Sequence, residues 1–141
     1  MSRIWTQDIS PQILTDLHRD TAVQHLGIEF LEVGDDFIIG RVPVDTRTKQ
    51  PYGLLHGGVS VVLDETLGSC GAAFSSPHGM RAVGLDINAN HLKGVVSGWV
   101  TGTARPVHIG RTTQVWQIDL RNDFGELTCA SRLTMAVLAP R

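Results

Sequence analysis

The sequence predicts an α+β domain in which one antiparallel sheet carries a long helix on one face. Three observations predict it. Residues 55–74 are apolar and almost uncharged, and they run too long for a single strand. Two strand-like runs before them are joined by the turn signal Gly34-Asp35-Asp36. Four more strand-like runs follow, separated by turn residues. At 141 residues the chain fits one domain, residues 1–141, and can bury a core without disulfide or metal staples.

Taken in order, Ser10 reads as an N-cap and Pro11 as the first residue of a short helix continuing through residues 12–19. Ile13, Leu14 and Leu17 form its apolar stripe. Residues 25–33 and 37–44 read as the two strands of a hairpin. A polar loop over residues 45–52 leads through Gln50-Pro51-Tyr52-Gly53 to the central helix. Gly57, Gly58, Gly68 and Gly71, with Ala72 and Ala73, stand in that helix; the glycines cost helix propensity, but these small residues let other backbone come close, as a sheet wrapped around a helix requires. Ser76-Pro77-His78-Gly79 ends the helix. The remaining strands are predicted over residues 82–91, 97–107, 114–121 and 127–137, with Gly110 in one turn and residues 122–125 in a hairpin turn.

Composition excludes several classes. A formal net charge of −2 argues against a nucleic-acid or anionic-membrane partner, since both need a clustered basic surface. Residues 1–10 hold no apolar run of a secretory signal, and no stretch approaches the roughly 18 apolar residues of a membrane helix. The expected location is the cytoplasm. Cys70 and Cys129 have no CxxC partner and read as buried thiols of a reducing compartment. His18, His25 and His78 show no metal-ligand spacing, so no metal site is expected. Nucleotide-binding GxGxxG and GxxxxGK[ST] motifs and the GxSxG elbow are missing.

The central helix holds the first candidate. Between Gln50 and Met80 the only formally charged residues are Asp64 and Glu65. A helical projection puts Val59, Val62, Leu63, Thr66, Cys70 and Ala73 on one face, Glu65 on its flank and Asp64 roughly opposite. Ser69 lies one turn beyond Glu65, within reach at i, i+4. By itself Glu65 reads equally as an exposed helix charge, and Asp64 better as one. The second candidate is Gly53-Leu54-Leu55-His56-Gly57-Gly58 at the helix start. Unshielded N–H groups there bind an anion or polarise a carbonyl oxygen. His56 in that position also reads as a structural cap, and Gln50 as an ordinary surface amide. The third is His91-Leu92-Lys93 with His108-Ile109-Gly110-Arg111-Thr112-Thr113, groups that hold phosphate at strand ends or merely solvate a turn.

Together these segments carry a resemblance. Pro51-Tyr52-Gly53-Leu54-Leu55-His56-Gly57-Gly58 followed by Asp64-Glu65-Thr66-Leu67-Gly68-Ser69 closely resembles the "HGG…ET.GS" signature of the hotdog-fold thioesterases. The nearest branch is that of the 4-hydroxybenzoyl-CoA, 1,4-dihydroxy-2-naphthoyl-CoA and enterobactin proofreading thioesterases. Residues 42–47 and 83–91, and Gly110-Arg111 before Val115-Trp116, are similar to that branch too, so the resemblance covers nearly the whole chain.

The resemblance implies a hotdog fold and hydrolysis of an acyl-CoA, 1,4-dihydroxy-2-naphthoyl-CoA above all. It implies Glu65 as nucleophile or general base, Gln50 and His56 holding the thioester carbonyl, the Gly57 N–H polarising it, and Ser69 positioning water or Glu65. Gly84, His91, Leu92, Lys93, Gly94 and residues 108–113 would line the CoA path. It further implies a homodimer whose sites are shared between chains, paired into a dimer of dimers, with no cofactor. Two positions depart from the pattern. Lys93-Gly94 stands where an Arg-Pro-like pair is expected, and Asp64 where a small residue is common. Two rivals stay open: a hotdog acyl-CoA dehydratase or hydratase, and a non-catalytic acyl-CoA-binding module.

Overall fold

A computed structural model describes residues 2–140. The chain forms α1 (Pro11–Leu17), α2 (Ala22–His25), β1 (Glu29–Val33), β2 (Ile38–Pro43), α3 (Gly57–Ser75), β3 (Arg81–His91), β4 (Trp99–Ile109), β5 (Thr113–Arg121) and β6 (Leu127–Leu138). Ser10 caps α1 as expected, its hydroxyl accepting from the Ile13 N–H at 3.1 Å. One expectation fails. His25 does not open a strand but ends the one-turn helix α2, and β1 starts only at Glu29. The N–H groups of Leu26 and Gly27 bond back to Ala22 and Gln24, and Gly27 at φ 77° turns the chain. Local backbone bonding here outweighs the strand-like composition.

All six strands join one antiparallel sheet in the order β1-β2-β4-β5-β6-β3. The connection from β2 to β3 passes β4, β5 and β6 to the far edge of the sheet, and α3 is that crossing. β1 and β3 are therefore the edges, and β3 is a long, exposed one.

Small residues set how close α3 comes to the strands. A Cβ on Gly71 would stand 2.5 Å from the Trp116 indole, and one on Gly68 would stand 2.5 Å from Leu133. Leu67 sits over Gly40 and Gly102, which are paired across β2 and β4. Leu63, Leu67, Trp116, Ile118, Leu120 and Leu133 are fully or almost fully buried in this seam. Each contributes roughly 1.5–3 kcal/mol. The buried polar residues beneath the helix end are satisfied: Trp116 Nε1 donates to Gln114 Oε1 at 2.8 Å, and Gln114 Nε2 donates to Ser76 Oγ at 3.3 Å.

This packing corrects the helical projection. The face of α3 on the sheet is Ser60, Leu63, Asp64, Leu67, Gly68, Gly71 and Ser75, while Val59, Val62, Thr66 and Ala73 are only half-buried. Leu63 and Cys70 of the projected face are buried but its other four members are not, because close approach to the strands admits small residues such as Gly68 and Gly71 beside the leucines. Asp64 is accordingly buried, not opposite the core. Its Oδ2 receives a weak bond from the Cys129 thiol at 3.7 Å, and its Oδ1 has no partner. Burial pushes the Asp64 carboxyl up to about 7, against the opposing pull of Ser131 and Cys129.

The raised value has a definite sign. The fold holds a proton on Asp64 that the unfolded chain releases near its ordinary 3.8, so this contribution to stability falls as pH rises from there to about 7. Asp64→Asn should remove that slope and leave the variant more stable at alkaline pH by about 2 kcal/mol. Chemical denaturation across this pH range checks it. Equal slopes in both proteins would refute the assignment.

Candidate active site

The start of α3 gathers hydrogen-bond donors with nothing to donate to. His56 is its N-cap, and its Nδ1 accepts from the Gly58 N–H at 2.8 Å. An accepting Nδ1 carries no proton, so the neutral ring presents Nε2–H outward. The Gly57 N–H meets no acceptor among the described residues. Gln50 Oε1 accepts from the Tyr52 N–H, which leaves the Gln50 amide –NH2 to donate. The loop is fixed by Gln50 N to Leu54 O, His56 N to Thr48 O and Leu55 N to Val95 O, each at 2.8 Å. A cleft of about 290 Å³ lies beside Gly57, between Leu54, Gly57 and Ser60 on one side and His91, Lys93 and Gly94 on the other, and neither His56 nor Gln50 lines it. Donors at the N-terminus of a 19-residue helix favour a developing negative charge on oxygen.

Glu65 lies elsewhere on α3. It faces outward, and its Oε2 rests over β3 where a Cβ on Gly84 would stand 2.9 Å from it. Eight residue steps of helix separate it from Gly57, about 12 Å along the axis. Ser69 is one turn further on. Its hydroxyl points to Met135 Sδ at 3.7 Å, and no hydrogen bond joins it to Glu65. The two nevertheless line one pocket of about 340 Å³ with His18, Ala22, Val23, Val62 and Thr66. His18 is the residue that motif and spacing rules miss. It reaches the pocket because α1 packs on β1 and α2 turns onto α3, which sets His18 against Cys70.

The residues expected along the CoA path divide into two groups. His91, Leu92, Lys93 and Gly94 stand at the Gly57 end of the sheet. Lys93 Nζ is paired with Glu126 Oε2 at 2.9 Å, both half-exposed, and this bond holds the Glu126 carboxyl below its ordinary value. His108, Ile109, Gly110, Arg111, Thr112 and Thr113 form the β4–β5 turn at the opposite end, beside the start of β3 and the close of β6. The ten residue steps along β3 put about 30 Å between the groups in one chain. Arg111 is exposed and has no carboxylate partner among the described residues. Cys70 and Cys129 are buried free thiols, each pushed up to about 12 with burial as the largest cause. Among the described residues no metal-binding cluster of His, Cys, Asp or Glu forms, and no helix is long and apolar enough to cross a membrane.

Splitting a thioester calls for a carboxylate to deliver the attack and neutral donors to receive the charge that develops on oxygen. This surface offers both, on the helix-and-sheet frame of the hotdog-fold thioesterases. Comparison with known proteins agrees. Residues 52–129 match the Thioesterase superfamily, and the chain belongs to it. A crystal structure of a Haemophilus influenzae thioesterase superposes with a TM-score of 0.94 at 49% identity, covering 96% of this chain and 95% of the other. The 1,4-dihydroxy-2-naphthoyl-CoA hydrolase of Escherichia coli is 44% identical over 96% of this chain and 99% of its own length. The proofreading thioesterase EntH of Cronobacter turicensis is 43% identical, over 96% and 98%. Relatives at 50% and 51% identity carry names no more specific than esterase.

Gly84 generates a test of the carboxylate's placement. Its missing Cβ leaves room for a flexible side-chain end, so Gly84→Ala should fold normally but displace Glu65. The melting temperature should stay within about 3 °C, while kcat for thioester hydrolysis drops about 10- to 100-fold. Unchanged kcat would show that Glu65 does not act from this position.

Proposed function

We propose that this protein hydrolyses an aryl acyl-CoA thioester, 1,4-dihydroxy-2-naphthoyl-CoA being the leading candidate, in sites completed by two copies of the chain. The observation that carries this is the unpaired Gly57 N–H at the start of α3, with unused donors on His56 beside it and on Gln50 in the preceding loop. Such an array is complementary to the oxyanion of a tetrahedral intermediate and contributes on the order of 3 kcal/mol to its stabilisation. Glu65 supplies the carboxylate, as nucleophile or as general base for water. The carbonyl carbon gains an oxygen, the C–S bond breaks, and CoA leaves as a thiol carrying the proton. The name of the Escherichia coli relative supports the naphthoyl substrate.

The distance between Glu65 and Gly57 argues for a shared site. Glu65 lies at Gly84 on β3, and Gly57 lies at His91 on the same strand. Suppose two β3 edges pair antiparallel, with Gly84 of one opposite His91 of the other. Glu65 of each chain then meets Gly57 of its partner, on the same face of a continuous sheet. The same pairing brings the β4–β5 turn of one chain toward Lys93 of the other, uniting the two halves of the CoA path. Leu85, more than half exposed on that edge, becomes covered.

Two experiments decide the reading. Free-thiol release from a panel of acyl-CoAs should show turnover by native protein and a loss of 100-fold or more in Glu65→Gln. No thiol release from any substrate would overturn the proposal. Separately, Glu65→Gln and His56→Ala chains, each inactive alone, should regain about a quarter of native activity when mixed and reassociated, since half the dimers then hold one intact site. Mixtures that stay inactive would place both residues in one chain's site.

A further inference from the structure

We propose that Glu126 is the internal counter-ion of Lys93: it holds the lysine in the free protein, yields it to a CoA phosphate on binding, and so sets how tightly CoA is held. The inference rests on the CoA path of the hydrolase reading above and adds to it a residue of the β5–β6 turn. Of the described residues lining the cleft beside Gly57, Lys93 alone carries a formal charge. That charge is already engaged. Lys93 Nζ donates to Glu126 Oε2 at 2.9 Å and meets no other acceptor among the described residues. The backbone on both sides of the pair is fixed. The Leu92 and Lys93 N–H groups donate to the Thr128 carbonyl at 2.8 and 3.3 Å, two residues past Glu126. Glu126 Oε1 accepts from Asn122 Nδ2 at 3.0 Å, and Asn122 Oδ1 accepts the Phe124 and Glu126 N–H groups, each at 3.0 Å. The carboxylate is thus held by its turn, and the flexible partner is the lysine stem.

Both members of the pair are half-exposed, so water screens the bond and breaking it costs little. Lys93 also stands where the resemblance implies an arginine. An arginine's planar fork presents separate edges to two anions. A lysine ammonium is a compact point charge, which shares poorly between anions that repel each other. A phosphate that takes Lys93 therefore leaves the Glu126 carboxylate beside it without its cation. The resulting like-charge repulsion is met by every CoA that binds, product included. A thioester on bare pantetheine carries no phosphate, leaves the pair intact and meets no such cost. Glu126 thereby loosens the grip on CoA, narrows the preference for CoA over phosphate-free thioesters, and hastens the departure of CoA after hydrolysis.

The test separates binding from turnover. CoA is titrated calorimetrically into native protein, Glu126→Gln, Lys93→Met and the double variant. Glu126→Gln keeps the carbonyl oxygen that Asn122 bonds and removes only the charge. It should bind CoA about 5-fold tighter than native protein, and that gain should vanish when Lys93→Met is also present. Equal or looser binding by Glu126→Gln overturns the inference. So does a gain of the same size in the Lys93→Met background, because Glu126 would then act on CoA without the lysine. Thiol release gives a second readout: the ratio of kcat/KM for benzoyl-CoA to that for S-benzoylpantetheine should rise by about the same factor in Glu126→Gln. A pair that only braces the turn would leave this ratio fixed. Thiol release with a CoA affinity indifferent to Glu126 refutes the counter-ion alone. A Lys93-dependent gain in affinity without thiol release supports it and refutes hydrolysis instead. CoA that binds none of the four proteins overturns both.

Discussion

Where α3 crosses the sheet, the Trp116 indole lies against bare backbone at Gly71, and Leu67 settles between the facing glycines 40 and 102. Large side chains on one layer meet missing side chains on the other, and the helix seats at a depth that no Ala-rich helix could reach. The position of every functional group follows from that depth and from the rotation it imposes. With the small residues turned inward, the flank carrying Val62, Glu65, Thr66 and Ser69 must turn outward, toward β3 and the folded-back N-terminal helices. The cost in helix propensity, about 1 kcal/mol per interior glycine, is offset by the buried aliphatic and indole surface.

The same rotation explains why two adjacent carboxylates have opposite fates. Successive helical residues point about 100° apart, so an outward Glu65 requires an inward residue at 64. In this chain that residue is an aspartate with one oxygen unpartnered and the other taking a weak bond from the Cys129 thiol. Near neutrality it titrates inside the core. Its burial weakens the fold, a load carried beside the outward-facing Glu65.

At the other end of α3 the organising device is an N-cap made by a ring instead of a hydroxyl. Because His56 accepts through Nδ1, capping and presentation of Nε2–H are one arrangement. Gln50 behaves likewise, its carbonyl held by the loop and its amide hydrogens left over. His18 is the mirror case. Its Nδ1 donates to the Leu14 carbonyl, and its Nε2 is turned to the Cys70 thiol of α3. For His56 and Gln50 the atom left to donate is thus decided by the backbone group that occupies the other.

Much of this was legible in the sequence. Alternation and turn residues mark the strands, a long uncharged run marks α3, and the His56-Gly57-Gly58 and Glu65 pattern marks the family, because local backbone preference and motif chemistry are written in neighbouring residues. The sequence alone thereby determined the α+β class, the order of α3 and the strands around it, and the family. It did not show that α2 replaces the start of the first strand, that Asp64 faces inward, or that His18 belongs beside Glu65. Nor did it show that the two halves of the expected CoA path stand at opposite ends of one sheet. Those depend on which face of α3 meets the strands and on how far apart β3 carries its two ends. Close packing between residues distant in the chain sets both, and no local pattern encodes it.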